Sequence, residues 1–492
     1  MNFSAQQISQ QMEKILRDLG SYEYLVNPYF RISKATPRQI KKYHLLNFKF
    51  ADTLSKISLI LSLPIIIIRM FLYFLLSLLF SFQYKIFKNN LKQSNIIFIS
   101  HATQENLSRG LSDEFFALMP KYYQSRKHKV TILYTNHGKF SYFKKINMLQ
   151  SSKEITFINL MPKFLKPQEF ITYIVKMLHL ASNCLILNSR MKHNSPIYSA
   201  IMLQAAKNFF NRDTYSNYLL STRLQSYLKP EPPYVIFLTF EGHSYEQYLI
   251  ESVISKAPNI KFVLYQHSPI APDHFGVIAF LKSNQNILRI YTTGITYLKY
   301  LRKISTIPKY KVIGSQKYFN SIKTNVELEK QTVLLIPDGG EIHSTIKFLR
   351  LGIYLQKLEP KYAYVLRLHP HLKKNTLIKV FLFLLNNRYQ ITISDNSLQT
   401  DLGNANYVVY RGSTVGVQSL NAGVIPVFFG NPKQSGLNAL SISQAKFYTA
   451  HKRNEVLAHM RRKDIQLTNQ KNETEFKFMF EQINYKELDI YN

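Results

Sequence analysis

Chemically useful side chains collect at five places in the chain, and each place directly follows a short apolar run typical of a buried strand. The five sets contain carboxylates, imidazoles, guanidinium groups and hydroxyls, which transfer protons or bind phosphate. They lie at residues 241–246, 266–269 (followed by 273–274), 338–341, 369–371 and 411–414. Because ligands of parallel α/β sheets bind beyond the carboxyl ends of the strands, this placement predicts a site built from strand ends.

Three residues of these sets are candidates for proton transfer. Glu241 is the favoured base, because it ends a hydrophobic run where desolvation raises a carboxyl pKa. His267 is the rival base, and a role as a buried turn residue is its alternative. His369 precedes Pro370 and could donate to a phosphate oxygen or assist a leaving group, or it could be an ordinary loop histidine. We predict catalytic roles for Glu241, His267 and His369.

Four further residues flank these candidates. Glu246 is a candidate for the same site, or it caps the first turn of the helix predicted at 245–255. Gln266 and Ser268 are candidates because they adjoin the rival base. Arg367 shares a face with His369 by strand alternation, so it would clamp a phosphate or pair with an acid at the sheet end.

The remaining polar sets predict binding of an anionic substrate. Arg411, Ser413 and Thr414 stand at a predicted strand-to-helix turn, where backbone N–H groups and hydroxyls favour an anion such as phosphate. An ordinary helix N-cap is the alternative. Asp338 and Gly339 form a turn that lets a ligand approach the backbone closely, or a plain strand–helix turn. We predict that all five residues bind substrate, together with Arg367, His369 and Pro370.

The elements that would position these residues form two successive halves. Short apolar runs alternate with amphipathic stretches after residue 94, and the pattern restarts after a polar stretch at 316–331. This alternation predicts an α/β protein with two doubly wound, Rossmann-like domains built on parallel sheets. We predict these domains at 95–315 and 316–450, a basic helical region at 1–94 and a helical tail at 451–492. Helices are predicted near 106–119, 245–255, 342–358 and 376–385.

Composition narrows the class of protein. The 492-residue chain has 63 Lys and Arg against 29 Asp and Glu, a formal charge of +34, yet 46% of its residues are hydrophobic. It therefore has enough apolar material for packed cores and is not a disordered polycation. One cysteine, Cys184, excludes a disulfide scaffold and a cysteine-cluster metal site. No metal-site spacing is present among His, Asp and Glu, which predicts a metal-independent reaction without a cofactor.

An apolar run at 57–82 is long enough to cross a bilayer, which takes roughly 20 residues. Pro64 interrupts helical hydrogen bonding within it, and Arg69 places a charge near its middle. Both flanks are basic and prefer the cytoplasmic side. These features favour monotopic or peripheral attachment to the cytoplasmic face of the inner membrane, through a re-entrant or in-plane hairpin. A single span and a helical pair buried against the protein are the alternatives.

The order of the motifs resembles bacterial glycosyltransferases of the GT-B type. Asp338-Gly339, His369-Pro370 and Ser413-Thr414 are similar to motifs of bacterial sialyltransferases and Kdo-type capsule transferases. The stretches FEGHSYEQ, YQHSPIAP and YRGSTVGVQSLNAGVIPVFFG look like those of bacterial surface-carbohydrate biosynthesis proteins. The resemblance covers roughly residues 230–430. It implies a GT-B-like fold, a CMP-linked donor held by the His-Pro and Ser/Thr motifs, and an acidic base in the N-terminal half.

The leading hypothesis is a glycosyltransferase that moves a sugar from a nucleotide donor to a lipopolysaccharide, capsule or related glycan, and a CMP-linked sialic acid- or Kdo-like sugar is the candidate that the resemblance implies. Its expected partners are the donor, a glycan or lipid-linked glycan acceptor and an anionic membrane surface. A polyol-phosphate transferase of teichoic-type polymer synthesis is one alternative. Another is a catalytically inactive glycan- or lipid-binding protein on the same scaffold. Nucleic acid is not an expected partner, because no nucleic-acid-binding signature accompanies the positive charge.

Overall fold

The computed structural model describes most of the chain and contains two parallel sheets with an N-terminal helical extension. The described residues are 5–30, 48–79, 95–101, 112–135, 158–160, 165–191, 196–228, 235–272, 274–283, 288–316, 332–338, 342–369, 372, 389–430, 438–461 and 465–488. Gly339, Pro370 and the helix predicted near 376–385 lie outside these ranges. So does most of the polar stretch at 316–331.

The extension begins with helix α1 (Ala5–Leu19), followed by short 3-10 turns at Tyr22–Val26 and Pro28–Phe30. Helix α2 (Phe48–Leu79) then runs for 32 residues and is continuous through Pro64. The hairpin expected within 57–82 is therefore absent from the described part of that run, which ends at residue 79. Met70 and Ser77 of this helix are buried, whereas most of its apolar side chains from Ile57 to Leu79 are exposed.

The first sheet has seven parallel strands in the order β3-β2-β1-β4-β5-β6-β7. Strands β1, β2, β4 and β5 are buried on both faces along almost their whole length, and their runs of Ile, Val, Leu and Phe reflect that burial. They are β1 (Ile96–His101), β2 (Val130–Thr135), β3 (Ile158–Leu160), β4 (Val235–Thr239), β5 (Lys261–Gln266), β6 (Leu288–Thr292) and β7 (Lys309–Val312).

Helices α3–α9 connect these strands. Asn211 caps α6 by accepting a hydrogen bond from the Thr214 N–H at 2.8 Å, and prolines occupy the first positions of α4 and α5. The helices are α3 (Met119–Ser125), α4 (Pro167–Met191), α5 (Pro196–Asn208), α6 (Arg212–Tyr227), α7 (Ser244–Ile254), α8 (Phe275–Ser283) and α9 (Ile295–Ile304). Helices α4, α5 and α6 share one hydrophobic core with α1 and α2.

The second sheet has six parallel strands in the order β10-β9-β8-β11-β12-β13. Its strands are β8 (Thr332–Ile336), β9 (Ala363–Leu366), β10 (Ile391–Ile393), β11 (Tyr407–Tyr410), β12 (Ile425–Phe429) and β13 (Tyr448–Ala450). Its helices are α10 (Ile342–Leu358), α11 (Leu398–Gly403), α12 (Val415–Asn421), α13 (Arg453–Met460) and α14 (Ile465–Met479).

In each sheet, the order in which successive strands are added reverses at one internal point. This reversal point lies between β1 and β4 in the first sheet and between β8 and β11 in the second. This strand order is that of doubly wound dinucleotide-binding sheets, in which ligands bind at the point of reversal. The predicted fold class, two doubly wound α/β domains with a helical N-terminal extension, is confirmed.

One predicted helix, at 106–119, is not observed over residues 112–118, and residues 106–111 lie outside the described ranges. Residues 112–118 of the predicted 106–119 helix form turns, because the Asp113 carboxylate accepts the N–H groups of Phe115 and Phe116 at 2.8 and 3.0 Å. Such side-chain bonds to the backbone compete with helix formation. The helix starts at Met119.

The C-terminal tail crosses back onto the first sheet. After α14, the Glu481 N–H donates to the Thr293 carbonyl at 2.8 Å, and the Ser315 N–H donates to the Glu481 carbonyl at 2.8 Å. The Thr293 hydroxyl donates to the Met479 carbonyl at 3.0 Å. Farther on, Lys311 pairs with Glu487 at 2.7 Å. The tail therefore ties the second half of the chain to the first.

The variant Thr293→Val tests this tie. Thr293 is fully buried, so losing its hydroxyl leaves the Met479 carbonyl without that donor and should reduce the free energy of unfolding by about 1–3 kcal/mol. The exposed Thr400, whose hydroxyl lies 2.8 Å from that of the neighbouring Ser397, provides the control Thr400→Val, with an expected change below about 0.5 kcal/mol. Thermal unfolding and proteolysis of residues 480–488 measure the difference. Equal effects of the two changes would contradict the tie.

Candidate active site

A buried carboxylate shapes the turn after β4. Glu246 accepts hydrogen bonds from three successive backbone N–H groups, those of Glu241, Gly242 and His243, at 2.9, 2.8 and 3.0 Å. Gly242 has φ +74°, and a Cβ there would lie 2.2 Å from the Val277 nitrogen of α8. The turn therefore requires glycine and is held in one shape by the glutamate.

Burial raises the pKa of Glu246 to about 7, although the N–H groups of the turn and the nearby His243 favour its charged form. The side chain is fully buried. Glu246 was expected either to belong to the site or to cap the first turn of the helix. Its observed contacts are those of a cap.

The same turn places Glu241 between two imidazoles. Its Oε2 atom lies 2.9 Å from His243 Nε2, and its Oε1 atom lies 3.4 Å from His267 Nε2. The Glu241 side chain is 22% exposed, compared with 41% for His243 and 8% for His267. Glu241 and His267, the two candidate bases in the first half, are thus brought together. The carboxylate is the more accessible of the two.

His267 is enclosed by its neighbours. Its Nε2 atom faces Glu241, its Nδ1 atom is buried, and the Phe115 ring meets it edge-on at 4.9 Å between centroids. Gln266 donates to the Ser268 carbonyl and accepts the Thr293 N–H at 3.1 Å. Gln266 and the Ser268 carbonyl therefore shape the loop that holds this histidine.

His101, which sequence reasoning missed, joins this group from the neighbouring strand β1. Its Nδ1 atom lies 3.0 Å from Thr135 Oγ1 at the end of β2. Burial and the nearby His243 lower the pKa of His101, and Glu241 opposes that effect. The position rule used for the other residues could have found it, because it immediately follows the apolar run 96–100. His101 and Glu241 flank the reversal point of the first sheet.

The reversal point of the second sheet carries a matching group. Asp338 follows β8 and is buried, and its N–H donates to Ser344 Oγ at 3.0 Å. Gly412, which follows β11, approaches so closely that a Cβ on it would lie 2.3 Å from Asp338 Oδ1. The acidic turn and the Arg-Gly-Ser-Thr turn, far apart in sequence, are therefore in contact.

The turn after β11 is only half buried. Ser413 Oγ accepts a hydrogen bond from the Val415 N–H at 3.3 Å, and Thr414 occupies the N-cap position of α12 without a side-chain cap bond. Helix α12 has seven residues, so its dipole is small. Positive side chains and hydroxyls, more than the helix end, must supply attraction for an anion here.

Sequence reasoning missed two cations of this region, Lys347 beside Arg411 and Arg453 beside Lys347. Burial lowers the pKa of Lys347 on α10, and the positive charges of Arg411 and Arg453 lower it further. The Lys347 Nζ atom lies 4.6 Å from the centroid of the Phe429 ring. Lys347 and Arg453 lie inside helices rather than at strand ends, so no motif in the sequence marks them.

Arg367 is engaged by an acid. Strand β9 ends at Leu366, one residue earlier, and the Arg367 guanidinium binds the Asp401 carboxylate at 2.5 Å and the Asn396 carbonyl at 2.8 Å. The shared strand face expected for Arg367 and His369 is therefore absent. The pairing is the second of the two roles considered for Arg367. His369 is half buried in the loop that follows, and its function stays a prediction.

Within the described residues, no group of three or more His, Cys, Asp or Glu side chains is arranged to hold a metal ion. The expected metal independence stays a prediction.

Comparisons with known proteins add no family. No protein-family model matches the sequence, and no curated protein matches it significantly. Solved structures with a similar fold include Anabaena HepE in complex with UDP and glucose (8% identity, 79% of this chain and 95% of that chain, TM-score 0.40). Others are UDP-GlcNAc 2-epimerase of Methanocaldococcus jannaschii with UDP-GlcNAc and UDP (11%, 77% and 98%, 0.44) and a Rickettsia africae glycosyltransferase (12%, 79% and 94%, 0.40). With TM-scores below 0.5, no functional property is taken from them.

The variant Glu246→Gln tests the buried carboxylate. The pKa of Glu246 is about 7 in the folded chain and near 4.3 in an unfolded one, so the folded state holds the proton more tightly. The resulting stability is present below about pH 4 and is lost as the pH rises through 7. Between pH 5 and 8, wild-type stability should fall by about 2 kcal/mol relative to the variant. Denaturant unfolding at several pH values measures this difference. Parallel curves for the two proteins would contradict it.

Proposed function

We propose that the chain is a GT-B-type glycosyltransferase that moves a sugar from a nucleotide donor to a lipopolysaccharide, capsule or related surface glycan. One observation carries the proposal: polar groups of different chemistry stand at the reversal points of both doubly wound sheets. The first carries a carboxylate between imidazoles, and the second carries hydroxyls beside cations. Proton acceptance and phosphate binding are the two tasks of such a transfer.

Glu241 is the proposed catalytic base. Its carboxylate is partly exposed, whereas the two nitrogens of His267 face Glu241 and the protein interior. An acceptor hydroxyl can therefore reach Glu241 but not His267. His267 acts as a positioning residue that orients the carboxylate, and His243, which is the more exposed imidazole, borders the acceptor. Sequence reasoning placed His267 as a rival base, and its enclosure favours the supporting role.

The second sheet is the proposed donor site. Arg411 and Arg453 each repel Lys347, and an anionic phosphate would relieve that repulsion. The hydroxyls of Ser413 and Thr414 lie on the same turn as Arg411 and would donate to phosphate oxygens. Asp338 and the neighbouring Gly339 would face the nucleoside or sugar. His369 and Pro370 would complete the site on the β9 side.

The reaction follows from these placements. The acceptor hydroxyl passes its proton to the Glu241 carboxylate as its oxygen bonds to the anomeric carbon of the sugar. The bond between that carbon and the phosphate oxygen breaks, and the nucleotide phosphate leaves with the electron pair. Cations and hydroxyls of the second sheet stabilise the charge that develops on the phosphate. In this proposal the reaction uses neither a metal ion nor a cofactor.

The donor nucleotide distinguishes finer versions of the proposal. The order of the acid-Gly, His-Pro and Ser/Thr motifs supports a CMP-linked, sialic acid- or Kdo-like sugar. A rise in melting temperature with one of CMP, UDP, GDP or CDP in a thermal-shift screen would identify the nucleotide of the donor.

Glu241→Gln tests the base. The amide cannot accept the proton, so transfer of a labelled sugar to glycan should fall by about 100-fold or more, with nucleotide affinity unchanged. The exposed tail carboxylate of Glu487 provides the control Glu487→Gln, for which transfer should stay at the wild-type level. Wild-type transfer by Glu241→Gln would remove Glu241 from the mechanism.

Lys347→Ala and Ser413→Ala test the donor site. Each removes one proposed phosphate contact, so affinity for the preferred nucleotide should fall by about tenfold, as measured by calorimetry. Lys361 is an exposed lysine beside Glu359, and Lys361→Ala is the control with unchanged affinity. Unaltered binding by both Lys347→Ala and Ser413→Ala would place the nucleotide elsewhere.

A further inference from the structure

Two long helices carry most of the exposed apolar surface. Of the 23 large apolar side chains that are exposed in the described residues, 12 lie on α2 and 5 on α4. Both helices contain segments long and apolar enough to cross a membrane, Ile60–Leu79 with a mean hydropathy of 2.2 and Pro167–Arg190 with 1.6. On α4 the exposed apolar residues are Ile171, Val175, Leu178, Leu185 and Ile186. The first four are separated by four, three and seven residues and Ile186 adjoins Leu185, so all five lie on one side of the helix.

The opposite sides of the two helices are occupied by the protein itself. On α2, the Tyr73 ring lies 4.7 Å from that of Tyr215, and the Phe74 ring lies 5.9 Å from that of Phe170 on α4. Met70 of α2 is buried in the same core. The exposed sides are therefore the outer surface of a packed helical layer and not the unfilled face of a core.

Lys176 and Glu169 of α4 and Arg69 of α2 turn away from the outer surface, whereas Arg190 is exposed at the C-terminal end of α4. Lys176 pairs with Glu23 at 2.6 Å, and Glu169 pairs with the buried Arg223 at 2.7 Å. Arg69 is half buried and lies three residues after Ile66, on the side of α2 that packs against the protein. The outer side of α4 consequently carries no Lys, Arg, Asp or Glu side chain from Ile171 through Ser189.

The charge of the sequence before, within and between the two helices favours one occupant. Residues 1–94 contain 13 Lys and Arg against 4 Asp and Glu, and residues 115–153 contain eight Lys and Arg and no acid. A second copy would bring the same positive charge to the face and be repelled. A bilayer with anionic headgroups would be attracted, by about 1 kcal/mol for each basic residue near its surface.

We infer that the outer sides of α2 and α4 together form one bilayer-docking face, with α4 as its second half. The apolar side chains enter the acyl boundary and the basic residues contact anionic headgroups. Because α4 belongs to the first domain, this face would hold the whole folded chain in a fixed orientation, rather than tether it by a terminal anchor. The inference does not depend on the proposed function.

The absence of tryptophan from the chain permits a direct test. Val175→Trp and Ile186→Trp each place the sole tryptophan on the outer side of α4. Ile307→Trp places it at an exposed apolar position outside both helices. With vesicles of phosphatidylcholine and phosphatidylglycerol, emission from the two α4 variants should shift to the blue and be quenched by brominated acyl chains. The Ile307→Trp control should show neither change.

Charge substitution gives a second readout. Val175→Glu with Leu178→Glu should weaken vesicle binding by about tenfold or more, because two inserted side chains become charged. Ile307→Glu with Leu358→Glu is the matched control, and it should bind vesicles as the wild type does. Unchanged melting temperature and nucleotide binding in the α4 variant would show that fold and donor site are intact.

Three results would overturn the inference. The first is an α4 tryptophan that lipid does not quench while the protein floats with vesicles. The second is wild-type vesicle binding by the α4 charge variant. The third is a wild-type protein that is dimeric and does not bind vesicles, together with a charge variant that is monomeric. That result would make a second copy of the chain the occupant of the face.

Discussion

The buried carboxylate of Glu246 is the constraint on which the candidate active site depends. Burying an ionisable group is costly unless hydrogen bonds compensate. Three N–H groups of one turn supply that compensation, and they thereby fix the turn. Gly242 lets the turn lie directly against α8, where a side chain would collide with Val277. The result is that Glu241 emerges from the end of β4 at a set angle, within reach of His243 and His267.

In the second sheet, a close contact between two turns fixes the geometry of the candidate site. Gly412 sits against the Asp338 carboxylate, so the turns after β8 and β11 are locked together. Cations gather beside them, and their mutual repulsion makes this edge receptive to an anion. The tail after α14 then binds the first sheet through Thr293 and Ser315. Two edges with different chemistry are therefore part of one connected structure, as a transfer between donor and acceptor requires.

Apolar runs predicted the strands well, because strands of a parallel sheet are buried on both faces and read as continuous hydrophobic sequence. The helix at 342–358 was predicted with the observed bounds, because its sequence has a simple amphipathic periodicity. Contacts between distant segments were beyond such reasoning. Lys347 and Arg453 lie within helices, and only the fold brings them to Arg411. Arg367 was placed on a strand that ends one residue too early, and Pro64 was read as a break in a helix that continues.

The central claim is that the nucleotide binds at the reversal point of the second sheet and that Glu241 lies at the reversal point of the first. A crystal structure with a non-hydrolysable nucleotide sugar tests it most directly. The account predicts phosphate oxygens beside Arg411, Lys347 and Ser413, with the sugar's anomeric carbon turned toward Glu241 and space for one acceptor hydroxyl between them. A nucleotide bound at the edge of the first sheet, or a sugar turned away from Glu241, would contradict it.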